Sequence, residues 1–317
     1  MARLEERTEN ALNEARTLVL GAQVLLGFNF HAVFAPAFEK LPTLSRDLKV
    51  GSLALMLVAI GLLISPAAYH RIVEEGADSE TFLRFLSIVT ELALLPFALG
   101  LGIDLAVATA RVFGGPAGLA AGGAGLAFAL FFWWGIEAWR RKRRGKDAMG
   151  RGGKNKGTRK VPALDERIQN VLTETRVVLP GAQALLGFQF IATLSQGFEK
   201  LAQKTQGVHL ASLGAIAVAT VFLMAPAAWH RIVEEGEDSE AFHRVASRFL
   251  LAALVFLALG LAGDVFVVCD KVFDSSPAAL AAAAATLLFL YGLWFGYTLL
   301  QRTRNAGRGG SVKRATA

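Results

Sequence analysis

The sequence predicts an all-α integral membrane protein with eight transmembrane helices, arranged as two parallel four-helix repeats. Three observations carry this. Of the 317 residues, 54% are hydrophobic, and the mean hydropathy is +0.44. The apolar residues gather in continuous runs of ~20, the length that crosses a ~30 Å hydrocarbon core at ~1.5 Å rise per residue. The chain also matches itself at an offset of 160: "PAAYHRIVEEGADSE" (66–80) returns as "PAAWHRIVEEGEDSE" (226–240), with thirteen of fifteen residues identical.

The match extends well beyond this motif. "GAQVLLGFNF" (21–30) returns as "GAQALLGFQF" (181–190), and "FEKL" at 38–41 returns at 198–201. Asp104 matches Asp264, and "RVF" at 111–113 matches "KVF" at 271–273. A gap-free register over such a distance marks a tandem duplication. The expected organisation is a first repeat at 1–147, a basic flexible linker at 148–163, a second repeat at 164–304 and a disordered basic tail at 305–317.

In chain order, each repeat opens with a polar segment. "LDERIQNVLTETR" puts Leu164, Ile168, Val171, Leu172 and Thr175 on one helical face, and "LEERTENALNEAR" does so less well with Leu4, Ala11, Leu12 and Ala15. Both read as short helices lying on the membrane surface. Four spans follow in each copy, near 17–38, 50–69, 85–107 and 117–139, then near 177–198, 210–229, 249–268 and 278–300. Helix is favoured over barrel strand because the runs are continuously apolar rather than alternating. In the fourth span, Gly118 and Gly122 allow close helix packing, while the second copy has alanine there. Trp133, Trp134, Trp139, Trp294 and Tyr297 fit an aromatic belt at the inner interface.

Charge sets the expected topology. With the amino terminus inside, the inner segments hold 26 of the 33 Lys/Arg and the outer loops 7. This bias puts both termini, the linker and both motif turns in the cytoplasm. An even number of spans per copy makes the repeats parallel, related by a pseudo-two-fold axis along the membrane normal. Residues 140–160 hold eleven Lys/Arg and one acid, Asp147. Directly after a span, such a run fits positive-inside topology and contact with anionic lipid better than nucleic acid. The lone Cys269 excludes an intrachain disulfide and a cysteine-cluster metal site. The polar amino terminus does not read as a signal peptide.

The repeated turn supports two readings. As structure, Gly76 and Gly236 suit the left-handed position after a helix, and Asp78, Ser79 and Glu80 suit the start of the next. Pro66 frees a carbonyl one turn before His70. His70 with Glu74, and Arg71 with Glu75, are spaced as i,i+4 pairs. As a functional site, His70, Arg71, Glu74 and Glu75 would meet His230, Arg231, Glu234 and Glu235 around the pseudo-axis. That set could serve a divalent metal or a proton relay, although the two arginines oppose a bound cation. No metal site and no cofactor is expected.

Ionisable residues inside spans are costly unless paired or wet. Asp104 and Asp264 recur in the third span, and Glu91 lies nearer its middle with Leu251 as counterpart. These three are the candidate ion or proton pathway. Alternatively, Asp104 pairs with Arg111 and Asp264 with Lys271 in a structural role. Gln23 and Gln183 recur in span one as candidates for interhelical hydrogen bonds. The motif patterns of nucleotide-binding, hydrolase and metalloprotease sites are missing from the sequence.

"ARTLVLGAQVLLGF", "FEKL" and "SPAAYHRIVEEG" resemble an uncharacterised bacterial membrane family, the domain of unknown function DUF6328. Arg176, Pro180, Gly181 and Gln183 carry the resemblance best, with Tyr69, His70 and Arg71. It covers nearly the whole chain. Typical members look like single copies, whereas this chain is a fused pair with Trp229 in place of the tyrosine. The resemblance implies a multi-pass protein of the bacterial cytoplasmic membrane. Some relatives carry a sodium/proton antiporter label. The expected function is a non-enzymatic scaffold or envelope component, with a cation/proton antiporter as the alternative. The bilayer is the expected partner, together with a possible second copy in a homo-oligomer.

Overall fold

The computed structural model describes residues 2–75, 77, 79–131, 164–232 and 239–305. Among these residues all regular structure is helical. The long helices are α1 (Ala2–Ala32), α2 (Thr43–Ile72), α3 (Glu80–Phe113), α4 (Gly115–Leu130), α5 (Leu164–Thr193), α6 (Gln203–Ile232), α7 (Glu240–Phe273) and α8 (Ser276–Tyr291). A π-helical stretch, Gly292–Tyr297, prolongs α8.

Among the described residues, five helices are long and apolar enough to cross a membrane: α2, α3, α6, α7 and α8 with its extension. Shorter apolar stretches run over Leu18–Ala32 and Gly115–Leu130. The rest of the expected fourth span, with Trp133, Trp134 and Trp139, lies outside the described residues, as do the linker and the tail.

The polar opening segments are not separate surface helices. Each runs without a break into the apolar part of α1 or α5. The reason is that their apolar face stays in helical phase and is buried: Leu12 and Ala15 on α1, Ile168 and Val171 on α5. These two helices, counterparts in the duplication, pack on one another and join the repeats. Glycine makes this possible. At Gly27 a Cβ would overlap the Phe188 ring, and just beyond the ends of the two helices a Cβ at Gly197 would overlap the backbone carbonyl of Phe34. The Phe28 and Phe188 rings lie 4.6 Å apart.

Within each repeat the later helices pack as consecutive hairpins, α2 on α3 on α4 and α6 on α7 on α8. Ser79 and Ser239 cap α3 and α7, accepting from the backbone N–H of Phe82 at 2.9 Å and Phe242 at 3.0 Å. Pro66 leaves the Leu62 carbonyl without its helical donor, and the Ser65 hydroxyl supplies one at 2.7 Å. The left-handed residue in the first turn is Glu75, with φ of 53°. Gly76, Asp78 and Gly236 lie outside the described residues.

The two halves are not equally buried. The apolar window of α2 is 67% buried and that of its counterpart α6 only 33%, while α7 is 61% buried against 33% for α3. An exact two-fold would make each pair equal, so the burial does not follow the expected pseudo-symmetry. Sequence differences at the contact explain it. Gly61 on α2 admits Phe289 and Leu290 of α8, whereas the matching Val221 is exposed. Trp294 is likewise not part of an interfacial belt. It is fully buried, and its indole N–H donates to the Gly61 carbonyl at 2.8 Å. Tyr297 is half-exposed against Phe85 and Tyr69.

The small residues of α4 pack as expected. A Cβ at Gly122 would stand 2.6 Å from the Gly102 carbonyl and from the Ala106 Cβ. Gly122→Val should therefore cost about 1–3 kcal/mol in a denaturation midpoint of the full chain. Gly123→Val, where a Cβ meets open space, serves as the control. Equal midpoints for the two variants would contradict this packing.

Candidate functional site

At the end of α2 the repeated motif turns inward. His70 is fully buried and Arg71 nearly so. Both grip Glu174, a buried carboxylate in the polar first half of α5, ahead of the apolar run that begins near residue 177. His70 Nδ1 hydrogen-bonds Glu174 Oε1, Arg71 Nε donates to Oε2 at 2.5 Å, and Arg71 Nη2 donates to Oε1 at 2.8 Å. Arg71 Nη1 reaches His243 Nε2 on α7 at 3.1 Å. The His70 ring stacks on Phe82, with centroids 4.3 Å apart. Burial by itself would raise the Glu174 carboxyl, but the charges of Arg71 and His70 and their hydrogen bonds hold it below the ordinary value.

This replaces the Arg71–Glu75 pair that spacing suggested. Glu75 instead binds Arg302 beyond α8, at 2.9 Å on the surface. Glu74 is buried beside the cluster. Glu174 meets Arg71 through both carboxylate oxygens, the two-pronged geometry that strengthens a charge-assisted pair. The side chains of His230 and Arg231, and Glu234 and Glu235 altogether, lie outside what is described.

Deeper in the bundle, the two aspartates sit in matching polar clusters. Asp104 on α3 accepts from Asn29 of α1 at 2.6 Å and from Lys49 of α2 at 2.7 Å. Asp264 on α7 accepts from Gln189 of α5 at 2.6 Å and from Ser212 of α6 at 2.8 Å. The positions correspond by the 160-residue offset: Asn29 with Gln189, Lys49 with His209, Ser52 with Ser212. Both serines also donate to a glycine carbonyl on the next helix, Gly100 or Gly260. In the first cluster the carboxylate has a cation. In the second its partners are neutral, and His209 turns its Nε2 to the Gln189 carbonyl.

Neither aspartate uses the outer-loop cation expected for it. Arg111 donates to the Ala37 carbonyl at 3.0 Å, and Lys271 lies 3.7 Å from Glu39. Glu39 also accepts from Lys200 at 2.8 Å. That hydrogen bond is the main cause holding the exposed Glu39 carboxyl below its ordinary value, so the far end of the bundle has its own contact between repeats. Asp104, Lys49 and Arg111 line a cleft of about 200 Å³ beside Phe38 and Leu41.

Glu91 joins neither aspartate. It is exposed and lines a surface cleft with Glu80 and Arg84. Thirteen residues separate it from Asp104 on one helix, about 20 Å. Gln23 is buried, and among the described residues neither its amide nitrogen nor its oxygen has a hydrogen-bond partner. It fills the space at Gly181 instead of bonding to Gln183. Among the described residues, no three His, Cys, Asp or Glu side chains gather to hold a metal ion.

Sequence reasoning missed Glu174, His243, Lys49, Asn29 and Gln189. Two signals were available. Glu174 repeats as Glu14, and Asn29 and Gln189 are polar residues at one repeated position inside an apolar run. His243 had none, since its counterpart is Leu83.

Comparison with known proteins gives one family. The model of a family of unknown function (DUF6328) matches residues 1–137 and again 159–298. No curated protein and no solved structure matches the chain.

Proposed function

The chain belongs to the DUF6328 family in both halves, and on that premise we propose that it is a non-enzymatic, multi-pass scaffold of the bacterial cytoplasmic membrane. One observation carries the reading. Two charged residues of the first copy of the turn are engaged internally: His70 and Arg71 bind Glu174 of the other repeat rather than facing a substrate. The turn then serves to lock two four-helix units together. The basic stretch at 140–160 would add contact with anionic lipid.

A second reading, cation/proton antiport, has its own support. Asp104 lines a cleft with Lys49 and Arg111. Asp264 is buried among neutral partners, and an intramembrane carboxylate of this kind often marks an ion pathway.

Proteoliposomes containing a pH dye distinguish the two. Under sodium or potassium gradients the scaffold reading expects no proton flux above empty liposomes, from protein whose fold is checked by its melting transition. Flux that the Asp104→Asn/Asp264→Asn double variant abolishes would replace the scaffold with a transporter.

A further inference from the structure

Beside the buried cluster, on the face that the Lys/Arg distribution assigns to the cytoplasm, lies a cleft of about 390 Å³. Among the described residues, Arg71, His243, Arg244, Ser247, Arg248 and Arg302 line it, with Glu75 as the one acid. Among them, cations outnumber acids. Glu174 offsets Arg71, and Glu75 is engaged by Arg302. Arg244 and Arg248 are exposed, and Glu240, one turn before Arg244, is not among the described residues that line the cleft.

The arrangement follows from the start of α7. Arg244 and Arg248 are one helical turn apart, so they project from one face. Ser247 lies beside them, its hydroxyl donating to the His243 carbonyl at 2.8 Å. Guanidinium groups spaced over one opening are suited to a phosphate, which can accept from several at once. The first repeat supplies an internal comparison. Its matching cleft contains Glu80, Thr81, Leu83, Arg84, Ser87, Ile88 and Glu91, so one arginine faces two acids. After duplication only the second copy has His243 for Leu83, Arg248 for Ile88 and Leu251 for Glu91.

We propose that the Arg244–Arg248–Arg302 cleft is a binding site for a phosphate-bearing anion, either an anionic phospholipid headgroup or a soluble phosphate. The site is independent of whether the protein scaffolds or transports. Glu75 lies at its rim and limits the charge that the site can accept.

The test uses the full chain in maltoside detergent at about 0.15 M salt, where distant surface charges are screened. Its melting transition is titrated with inorganic phosphate, with dihexanoyl phosphatidylglycerol and with dihexanoyl phosphatidylcholine. A ligand of the folded state raises the transition saturably. Stabilisation by the phosphatidylglycerol alone identifies a lipid headgroup. Stabilisation by inorganic phosphate, with no added gain from the lipid, identifies a soluble ligand. In either case Arg244→Gln/Arg248→Gln should weaken the apparent affinity at least ~10-fold, since each arginine removes a charge-assisted contact. Arg84→Gln should leave it unchanged. Both variants alter exposed side chains, and an unliganded transition equal to the parent's shows that they fold. The site is refuted if no probe stabilises the chain. Equal response to both lipids, or a double variant that titrates like the parent, also refutes it.

Discussion

Glu174→Gln should destabilise the folded chain by about 3–5 kcal/mol, the range for breaking a buried pair from one side. The substitution keeps the shape but removes the charge that balances Arg71 and His70, both buried. The loss falls on the contact between repeats, because Glu174 belongs to α5 and its partners to α2. Arg302→Gln breaks an exposed pair with Glu75 and should cost no more than ~1 kcal/mol. The comparison is read from denaturation midpoints of the full chain in detergent. Equal losses in the two variants would mean that the Glu174 cluster is solvated. A Glu174→Leu/Arg71→Met double variant should recover part of the loss, since the guanidinium is then not stranded beside an apolar residue.

The same carboxylate predicts a pH dependence. Its folded value lies below its ordinary value of 4.5. The unfolded chain therefore binds the proton more readily, and its stabilising contribution is complete above about 4.5. It is lost as pH falls through the lower, folded value. Acid should therefore weaken the parent more steeply than Glu174→Gln below pH ~4.5, in melts recorded from pH ~6 downwards. Parallel acid slopes would remove Glu174 as a cause.

The second large effect is expected at Lys49. Lys49→Met leaves the Asp104 carboxylate with the Asn29 amide as its remaining described partner, within the apolar part of α3. A charge at the centre of a span costs about 2.5–3.5 kcal/mol on insertion scales, an upper bound for Asp104, which is 19% exposed beside a cleft and keeps the Asn29 amide. Asp104→Asn in the same chain removes the stranded charge, so Lys49→Met/Asp104→Asn should be more stable than Lys49→Met alone. A double-mutant cycle in detergent measures this coupling. Additive losses would show that Lys49 and Asp104 do not act as a pair. The matching Ser212→Ala change should cost less, about 1 kcal/mol, because Gln189 still donates to Asp264.

Much of this was readable in the chain. The serine caps, the helix-interior Pro66 and the close approach at Gly118 and Gly122 all follow from residues within a turn or two of each other. The duplication was readable because its register has no gap. The Glu174 cluster was not, because its members are 103 and 172 residues apart and no local period links them. Spacing favoured Arg71–Glu75, a pair that exists on an isolated helix but loses to a buried carboxylate arriving from another repeat. Trp294 was placed in a belt for the same reason: composition shows that an indole sits near a helix end, not which helix faces it.

By itself the sequence determined a duplicated, helical chain with several spans long enough for a membrane, since these follow from local hydropathy and from self-similarity. The tertiary structure decided which copy became the centre. Two nearly identical turns carry the same His-Arg pair, yet the role of Arg71 depends on Glu174 and His243 lying opposite it. In the same way Gly61 and Val221 hold equivalent places in their repeats, and only the glycine admits a neighbouring helix. Local residues set each helix and its caps. Which charges are paired, and which arginines remain open to an anion, depends on contacts between helices far apart in the chain.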